Sequence, residues 1–420
     1  MNLSELCQSN PSVQGQLTYC SNIHPGETWP DIRSNLQRYI PEIRQELPQT
    51  SRFGIGLRLS AEATNELAKT DTLNEFKDYL QQQNVYVFTI NGFPYGPFHG
   101  TRVKEDVYLP DWKDPERLRY TNQIADVFAQ FLPPGITGSI STVPGAFKAC
   151  VNGESDIKLM ARQMVSHVAH LVELERSTGA SINLALEPEP CCFLETIDES
   201  VSFFEQYLYS SESAAQLSQA VDVDVDEQTA HVLLKKHLTL CLDLCHAAVE
   251  FEDANDCIDK LKDAGITVGK MQISAGLLLD QVDQKTAEIL KPFDDNVYLH
   301  QVIERHGDQI NRYKDLPEAF AKLPANNQKL STDKGSSDPG SDRQWRVHFH
   351  VPIFLDDLGE FSSTQFFIRQ ILALHRQSPV SDHLEVETYT WNVLPEKYRQ
   401  QPMAQAISRE LNWVVEQLSN

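Results

Sequence analysis

The stretch from Leu238 to Asp253, LTLCLDLCHAAVEFED, decides how the rest of the chain is read. It opens as a short apolar run, Leu238–Leu242, which predicts a buried strand. Asp243 and His246 follow at once, and a helix is predicted from about Asp253 to Gly265. A parallel strand that ends in a carboxylate and an imidazole presents them where an α/β barrel keeps its active site. The pair also has a plainer reading. Asp243 can cap the following helix, and His246 can be a hydrogen-bonded, partly buried side chain. The other strand ends decide between the two.

Outward from this stretch, strand-like and helix-like runs alternate, the pattern of a parallel sheet. Before it come strand-like runs at Gln16–Asn22, Arg52–Leu59, Val85–Asn91, Gly138–Val143 and Ile182–Leu186. After it come Val268–Ser274 and, much later, Leu384–Thr390. Helices are predicted from Pro30 or Asp31, from Ser60 to about Gln82, over Pro115–Phe131 and over Ile157–Ser177, which ends at Gly179. Others follow at Ile197–Leu208, Thr364–Arg376 and Pro402–Leu418. The count is eight β/α units: a (β/α)8 barrel forming a single domain over 1–420. An insertion over 277–362 breaks the pattern after the seventh strand. In it YLHQVIE (Tyr298–Glu304) and WRVHFHVPIF (Trp345–Phe354) read as a β-ribbon. The stretch Pro324–Gln344, rich in Asn, Ser, Asp, Gly and Lys, reads as a flexible loop. VDVDVDEQ, Val221–Gln228, lacks the glycine and the closing glutamate of a calcium loop and reads as a solvated linker. No GxGxxG follows a strand and no Walker A sequence is found, which removes support for dinucleotide and nucleoside-triphosphate folds.

With 41% hydrophobic and 23% charged residues, the 420-residue chain has the composition of a globular protein with a large core. No apolar run reaches the length of a membrane span. The opening MNLSELCQSN lacks the basic and apolar regions of a signal peptide, so a cytoplasmic location is expected. The net charge of −23 repels phosphate backbones and argues against nucleic acid as a partner. The eight cysteines are scattered without paired CxxC motifs, and Cys20 and Cys241 fall in strand-like runs. They read as reduced core residues rather than a zinc site.

Polar residues gather where strands end. The fifth strand runs into Glu187 and Glu189, the sixth into Asp243 and His246. The seventh carries Gln272 and Ser274, the last Glu387, Thr388 and Tyr389. The insertion adds His300, His348 and His350, the last two on one face of a strand. Pro188 and Pro190 mark Glu189 as a rigid turn residue pointing outward. Several carboxylates at one barrel mouth repel one another, and a divalent cation is the usual resolution. Carboxylate plus imidazole suits Mn²⁺, Zn²⁺, Co²⁺ or Fe²⁺, and Mg²⁺ where oxygen dominates.

The set LALEP (Leu184–Pro188), LDLCH (Leu242–His246) with EFED behind it, QIS (Gln272–Ser274) and VETYT (Val386–Thr390) resembles the xylose-isomerase-like TIM barrel superfamily of sugar isomerases, ketose epimerases and endonuclease IV. The resemblance implies a metal held by Glu187, Asp243, Gln272 and Glu387. It departs at Gln272, where the epimerases carry histidine, so His348 or His350 is expected to supply the missing imidazole. It also implies that His246 lies near the substrate. Longer motifs cover nearly the whole chain: LTYCSNIHPGETW (Leu17–Trp29), NGFPYGPFHG (Asn91–Gly100), VYLPDW (Val107–Trp112), LALEPEP, CLDLCHAAVEFED and VETYTW. These resemble the EboE-type metabolite traffic proteins, which implies a small metabolite as ligand and partner proteins of one pathway. The leading expectation is a metal-dependent isomerase or epimerase for a polyol or hydroxycarbonyl compound. Glu187 and Glu387 would be acid and base, with His246 beside them. His24, Glu27, Trp29, Phe93, Tyr95, His99 and Trp391 would wall the pocket. A carrier protein that lost full catalysis, favoured by Gln272, and a metal-dependent phosphodiester hydrolase, opposed by the charge, are the alternatives.

Overall fold

The computed structural model describes residues 1–7, 13–48, 50–100, 102–221, 225–323 and 343–419. Its centre is a parallel sheet of eight strands. They are β1 Gln16–Tyr19, β2 Phe53–Arg58, β3 Val85–Asn91, β4 Gly138–Thr142, β5 Ile182–Leu186, β6 Leu238–Asp243, β7 Val268–Ile273 and, at the end, β13 His383–Val386. Their order is β1–β13–β7–β6–β5–β4–β3–β2. The two outer strands meet through a parallel bridge between Cys20 and Gly56. There the Thr18 hydroxyl donates to the Gly54 carbonyl at 2.8 Å and accepts from the Gly56 amide at 3.0 Å. The sheet is thereby rolled into the (β/α)8 barrel that the alternation predicts. Gly56 is required at the seam, because a Cβ there would lie 1.9 Å from Glu385 Oε1 and 2.7 Å from the Tyr19 carbonyl.

Most barrel strands are buried on both faces, which is why they read as continuous apolar runs. The interior is not wholly apolar. Lys270 and Glu385, both fully buried, form an ion pair at 2.6 Å. Return helices cover the outside. One runs Trp29–Gln45 behind a Thr28/Asp31 capping box, and another, Glu154–Thr178, stops at left-handed Gly179.

Three local readings change. The helix expected from Ser60 to Gln82 is two helices, Ala61–Leu67 and Thr70–Gln82, because Lys69 takes an extended backbone between them. The last strand stops at Val386, and Thr388 turns the chain into a 3-10 turn at Tyr389–Asn392. A six-residue helix, Leu244–Val249, follows β6 directly.

The larger change is in the insertion. The two stretches read as a ribbon belong to a five-stranded antiparallel sheet. Its strands are β8 Ala275–Leu279, β9 Val302–His306, β10 Gln309–Tyr313, β11 Arg343–Val351 and β12 Ser362–Ser363, in the order β10–β9–β11–β8–β12. The first starts right after Ser274, so the second sheet leaves the barrel exactly at its mouth. It packs closely on the Leu244–Val249 helix: a Cβ on Gly276 would lie 3.0 Å from Cys245 Sγ. Most of the Pro324–Gln344 stretch and Asp222–Asp224 of the acidic linker lie outside the described residues. No helix among the described residues is long and apolar enough to cross a membrane.

Candidate metal centre

Glu187 follows β5, Asp243 ends β6 and Glu387 follows β13. Backbone bonds fix the first and last: the Glu187 amide donates to the Thr142 carbonyl, the Glu387 amide to Ile273, each at 3.1 Å. Each of the three carboxylates offers an oxygen within 4.8 Å of the others. The residues are 4, 2 and 4% exposed, so water does little to screen their repulsion. Asp243 Oδ1 accepts from the His246 amide at 3.0 Å and from the Ser274 hydroxyl at 2.7 Å. It therefore caps the Leu244–Val249 helix, and both readings of Asp243 hold together. Its Oδ2, like Glu187 Oε2, is buried without a hydrogen-bond partner. Glu387 Oε1 accepts from Asn22 Nδ2 at 2.7 Å and Asn91 Nδ2 at 3.1 Å.

Burial, then Glu387 and Asp243, push the Glu187 carboxyl well above the usual range. Burial, Asp243 and Glu385 do the same to Glu387. Asp243 goes the other way. Burial works against its charge, but His246, His350 and its hydrogen bonds outweigh burial and hold it below the ordinary value. Such a cluster stores protons that a divalent cation would displace. Crowded hard oxygens with buried partnerless atoms suit such an ion.

Gln272, expected as a ligand, is buried beside the group, but its Oε1 accepts from the Cys241 thiol at 3.0 Å. Imidazoles lie close to the carboxylates. His350, from β11, has Nδ1 2.9 Å from the Glu387 carbonyl and an Nε2 without a partner. It groups with Asp243 and His246 within 4.8 Å. His246 Nδ1 lies 2.8 Å from the Pro188 carbonyl, and its Nε2 is 3.1 Å from His348 Nε2. His348 Nδ1 meets Gln301 Oε1 at 2.8 Å. Burial keeps His348 well below the ordinary histidine range and brings His350 to about 4. His300 stands apart, 3.0 Å from Asp295.

Glu189 corrects the outward reading. It is buried and accepts from Tyr108 Oη at 2.7 Å and from Gln301 Nε2 at 3.2 Å. The flanking prolines stiffen the turn, but stiffness does not set its direction.

A cavity opens on the centre. Glu187, Glu189, His246, His348 and Glu387 form one wall, and Phe93, Phe98, Tyr108, Tyr298 and Tyr389 face it. Of the residues expected to wall it, Phe93 does so. The others do not line this cavity, because each is used elsewhere. Glu27 takes Arg58 at 2.6 Å and the Phe98 amide at 2.7 Å, which holds the aromatic loop in place. His24 stacks on Tyr39 and bonds Tyr19 Oη at 3.1 Å. Trp29 packs on Phe76, Trp391 lies in the core, Tyr95 bonds Glu116 and His99 sits edge-on to Phe98. The sequence reading missed Asn22, Asn91, Tyr108 and Gln301. The two asparagines were discoverable: they stand at the carboxyl ends of the first and third strand-like runs, the criterion already applied to the later strands.

Fold and site together define an α/β-barrel protein with an acidic, imidazole-flanked centre at the carboxyl mouth. No protein-family model matches the chain, and no curated protein sequence does. Among solved structures, it is similar to the IolI protein with a bound zinc atom, at 11% identity over 96% of this chain and 98% of that one, TM-score 0.46. It is also similar to a xylose isomerase-like TIM barrel protein from Mycobacterium smegmatis in complex with magnesium, at 11% identity over 96% and 97%, TM-score 0.49. A third is the probable 3-DHS dehydratase AsbF from Bacillus anthracis, at 11% identity over 94% and 97%, TM-score 0.42.

Proposed function

We propose that the protein is a metal-dependent isomerase or epimerase of a small polyol or hydroxycarbonyl metabolite. The observation that carries this is the convergence of Glu187, Asp243 and Glu387, with partnerless buried oxygens on the first two, beside a cavity that Glu187 and Glu387 line and that has an aromatic far wall. Glu187, Asp243 and Glu387 would hold Mn²⁺, Zn²⁺, Co²⁺ or Mg²⁺, and His350 is the imidazole placed to add to them where Gln272 does not. A cation bound there supplies Lewis-acid polarisation of a substrate oxygen.

The chain's own groups supply the rest. Glu187 and Glu387, whose carboxyls burial and neighbouring carboxylates push well above the usual range, are the candidate acid and base. They enter from β5 and β13, which are not neighbours in the sheet, so one can take a proton from a carbon and the other return one. Asn22 and Asn91 orient Glu387 through its Oε1. His246, locked on the Pro188 carbonyl, faces the same cavity. The aromatic wall suits the carbon face of a small ligand. The motif resemblance to EboE-type metabolite traffic proteins supports a ligand from a small-metabolite pathway, with partner proteins, in the cytoplasm. The charge of −23 speaks against a nucleic-acid substrate. On this reading the chain is one barrel domain with 277–362 inserted into it.

The test is proton exchange. Metal-loaded protein is incubated with a panel of hydroxyketones and polyols in D2O and followed by NMR. Deuterium should enter carbon positions with the parent and not with Glu187→Gln or Glu387→Gln. Tight ligand binding with no exchange by the parent would replace this reading with the carrier, which the Gln272–Cys241 bond favours.

A further inference from the structure

Between Phe98 and Tyr108 of the aromatic wall stands Lys104. It lines the cavity, and it is the only Lys or Arg to do so among the described residues. It is buried, which a lysine tolerates only with a partner. The partner is Asp315 of the insertion, whose Oδ2 lies 2.6 Å from Nζ. Lys104 also sits in the left-handed region, at φ 38°, where a residue with a side chain is uncommon. Backbone strain of this kind collects at ligand sites.

A structural tie explains the ion pair only in part. Backbone bonds already join the loop to the insertion: the Val103 and Lys104 amides both donate to the Val297 carbonyl, at 2.8 and 3.0 Å. Asp315 does not need the lysine to hold its place. Its Oδ1 accepts from the His300 amide at 3.1 Å and from the Leu316 amide at 3.0 Å. The pair therefore fixes the ammonium rather than the loop. An ammonium has three donors, and Asp315 takes one. Glu187, Glu189 and Glu387 line the same cavity and repel an anion, so Lys104 is the side chain there that can attract one. The donor set also selects the anion. Phosphate is met by an Arg fork or by several amides. One ammonium, already shared with Asp315, suits a single negative charge, and a carboxylate carries one.

We propose that Lys104 determines specificity by pairing with a carboxylate of the substrate, which makes the ligand a polyhydroxy acid rather than a neutral polyol. This rests on the reading of the barrel mouth as the substrate site. Asp315 holds the ammonium in place and tempers its charge, so removing the Asp315 charge should strengthen the pairing.

Calorimetric titration of Mn²⁺-loaded, dialysed protein compares three probes on one carbon skeleton: erythritol, erythronate and erythritol 4-phosphate. The parent should bind erythronate ~10-fold more tightly than erythritol, the scale of a hydrogen bond to a charged group. Lys104→Met should abolish that preference. Asp315→Asn, which keeps an acceptor for both amides, should enlarge it. Circular dichroism checks folding, and Asp315→Asn decides alone if Lys104→Met does not fold. No acid preference in the parent, a preference that survives Lys104→Met or shrinks in Asp315→Asn, or tighter binding of the phosphate ester than of erythronate overturns the proposal. Deuterium exchange reads the isomerase chemistry separately. Exchange without an acid preference keeps the isomerase and removes the role of Lys104. An acid preference lost in Lys104→Met, with no exchange by the parent, keeps that role in a carrier.

Discussion

The two oxygens of Asp243 differ: Oδ1 caps a helix and accepts from Ser274, while Oδ2 is buried without a hydrogen-bond partner. Asp243→Asn should keep the cap, so the metal-free protein should melt near the parent temperature. It should lose most of the rise that Mn²⁺ or Zn²⁺ gives the parent by binding the native state. A full rise in the variant would count against Asp243 as a ligand. Asp243→Ala should additionally lose ~1 kcal/mol through the cap. Glu410 gives a pH signature. It is buried, accepts from Thr388 Oγ1 at 2.7 Å and the Ile353 amide at 3.2 Å, and burial raises it to about 7 from 4.5. The native state thus binds this proton more tightly than the unfolded chain. Below the unfolded value the group has no effect; between there and the folded value stability falls as pH rises; above it the loss is constant. The size is at most about 3 kcal/mol. In urea titrations Glu410→Gln should gain on the parent between pH 5 and pH 8, and a pH-independent difference would refute the shift. At this scale the sequence was legible wherever a residue's place follows from a strand end, as with Glu187, Asp243 and Glu387. It was not where direction depends on a partner far along the chain. Glu27 looked like pocket lining from the composition of its loop, yet Arg58 claims its carboxylate.

Among elements, the barrel strands could be read because burial on both faces leaves one apolar run per strand. Apart from the β9–β10 hairpin, the second sheet could not be paired from sequence, since its other antiparallel partners lie far apart in the chain and Ser362–Ser363 is too short to carry a pattern. From sequence the seventh strand ends at Ser274, and AGLLL behind it is not read as a strand; Ser274 turns toward Asp243 and the chain leaves the barrel there. The seam between β1 and β2 gives a direct test. Gly56→Ala puts a methyl group into Glu385 Oε1 and the Tyr19 carbonyl. Both are held, one by Lys270 and one by the backbone, so the substitution should destabilise by ~2–3 kcal/mol. An unchanged urea midpoint would mean that the seam yields, and that Glu385 is not fixed beneath the centre.

For the molecule as a whole, the charge of −23 adds a diffuse field to the local ligands. Affinity for Mn²⁺ should weaken ~5-fold between 0.05 and 0.5 M KCl as that field is screened. Calorimetric titration at both salts checks this, and equal affinities would assign all of the attraction to the buried groups. The placing of β11 over the barrel mouth has a consequence for synthesis. Glu187 and Asp243 come from the middle of the chain, while His348, His350 and Glu387 all lie beyond Arg343. Chains leave the ribosome amino end first. A nascent chain with seven barrel strands made owns two of the three carboxylates and neither imidazole of β11. The carboxylate cluster and the imidazoles beside it are incomplete until translation has passed β11 and reached Glu387, and products cut short before that emerge unable to assemble the mouth of the barrel.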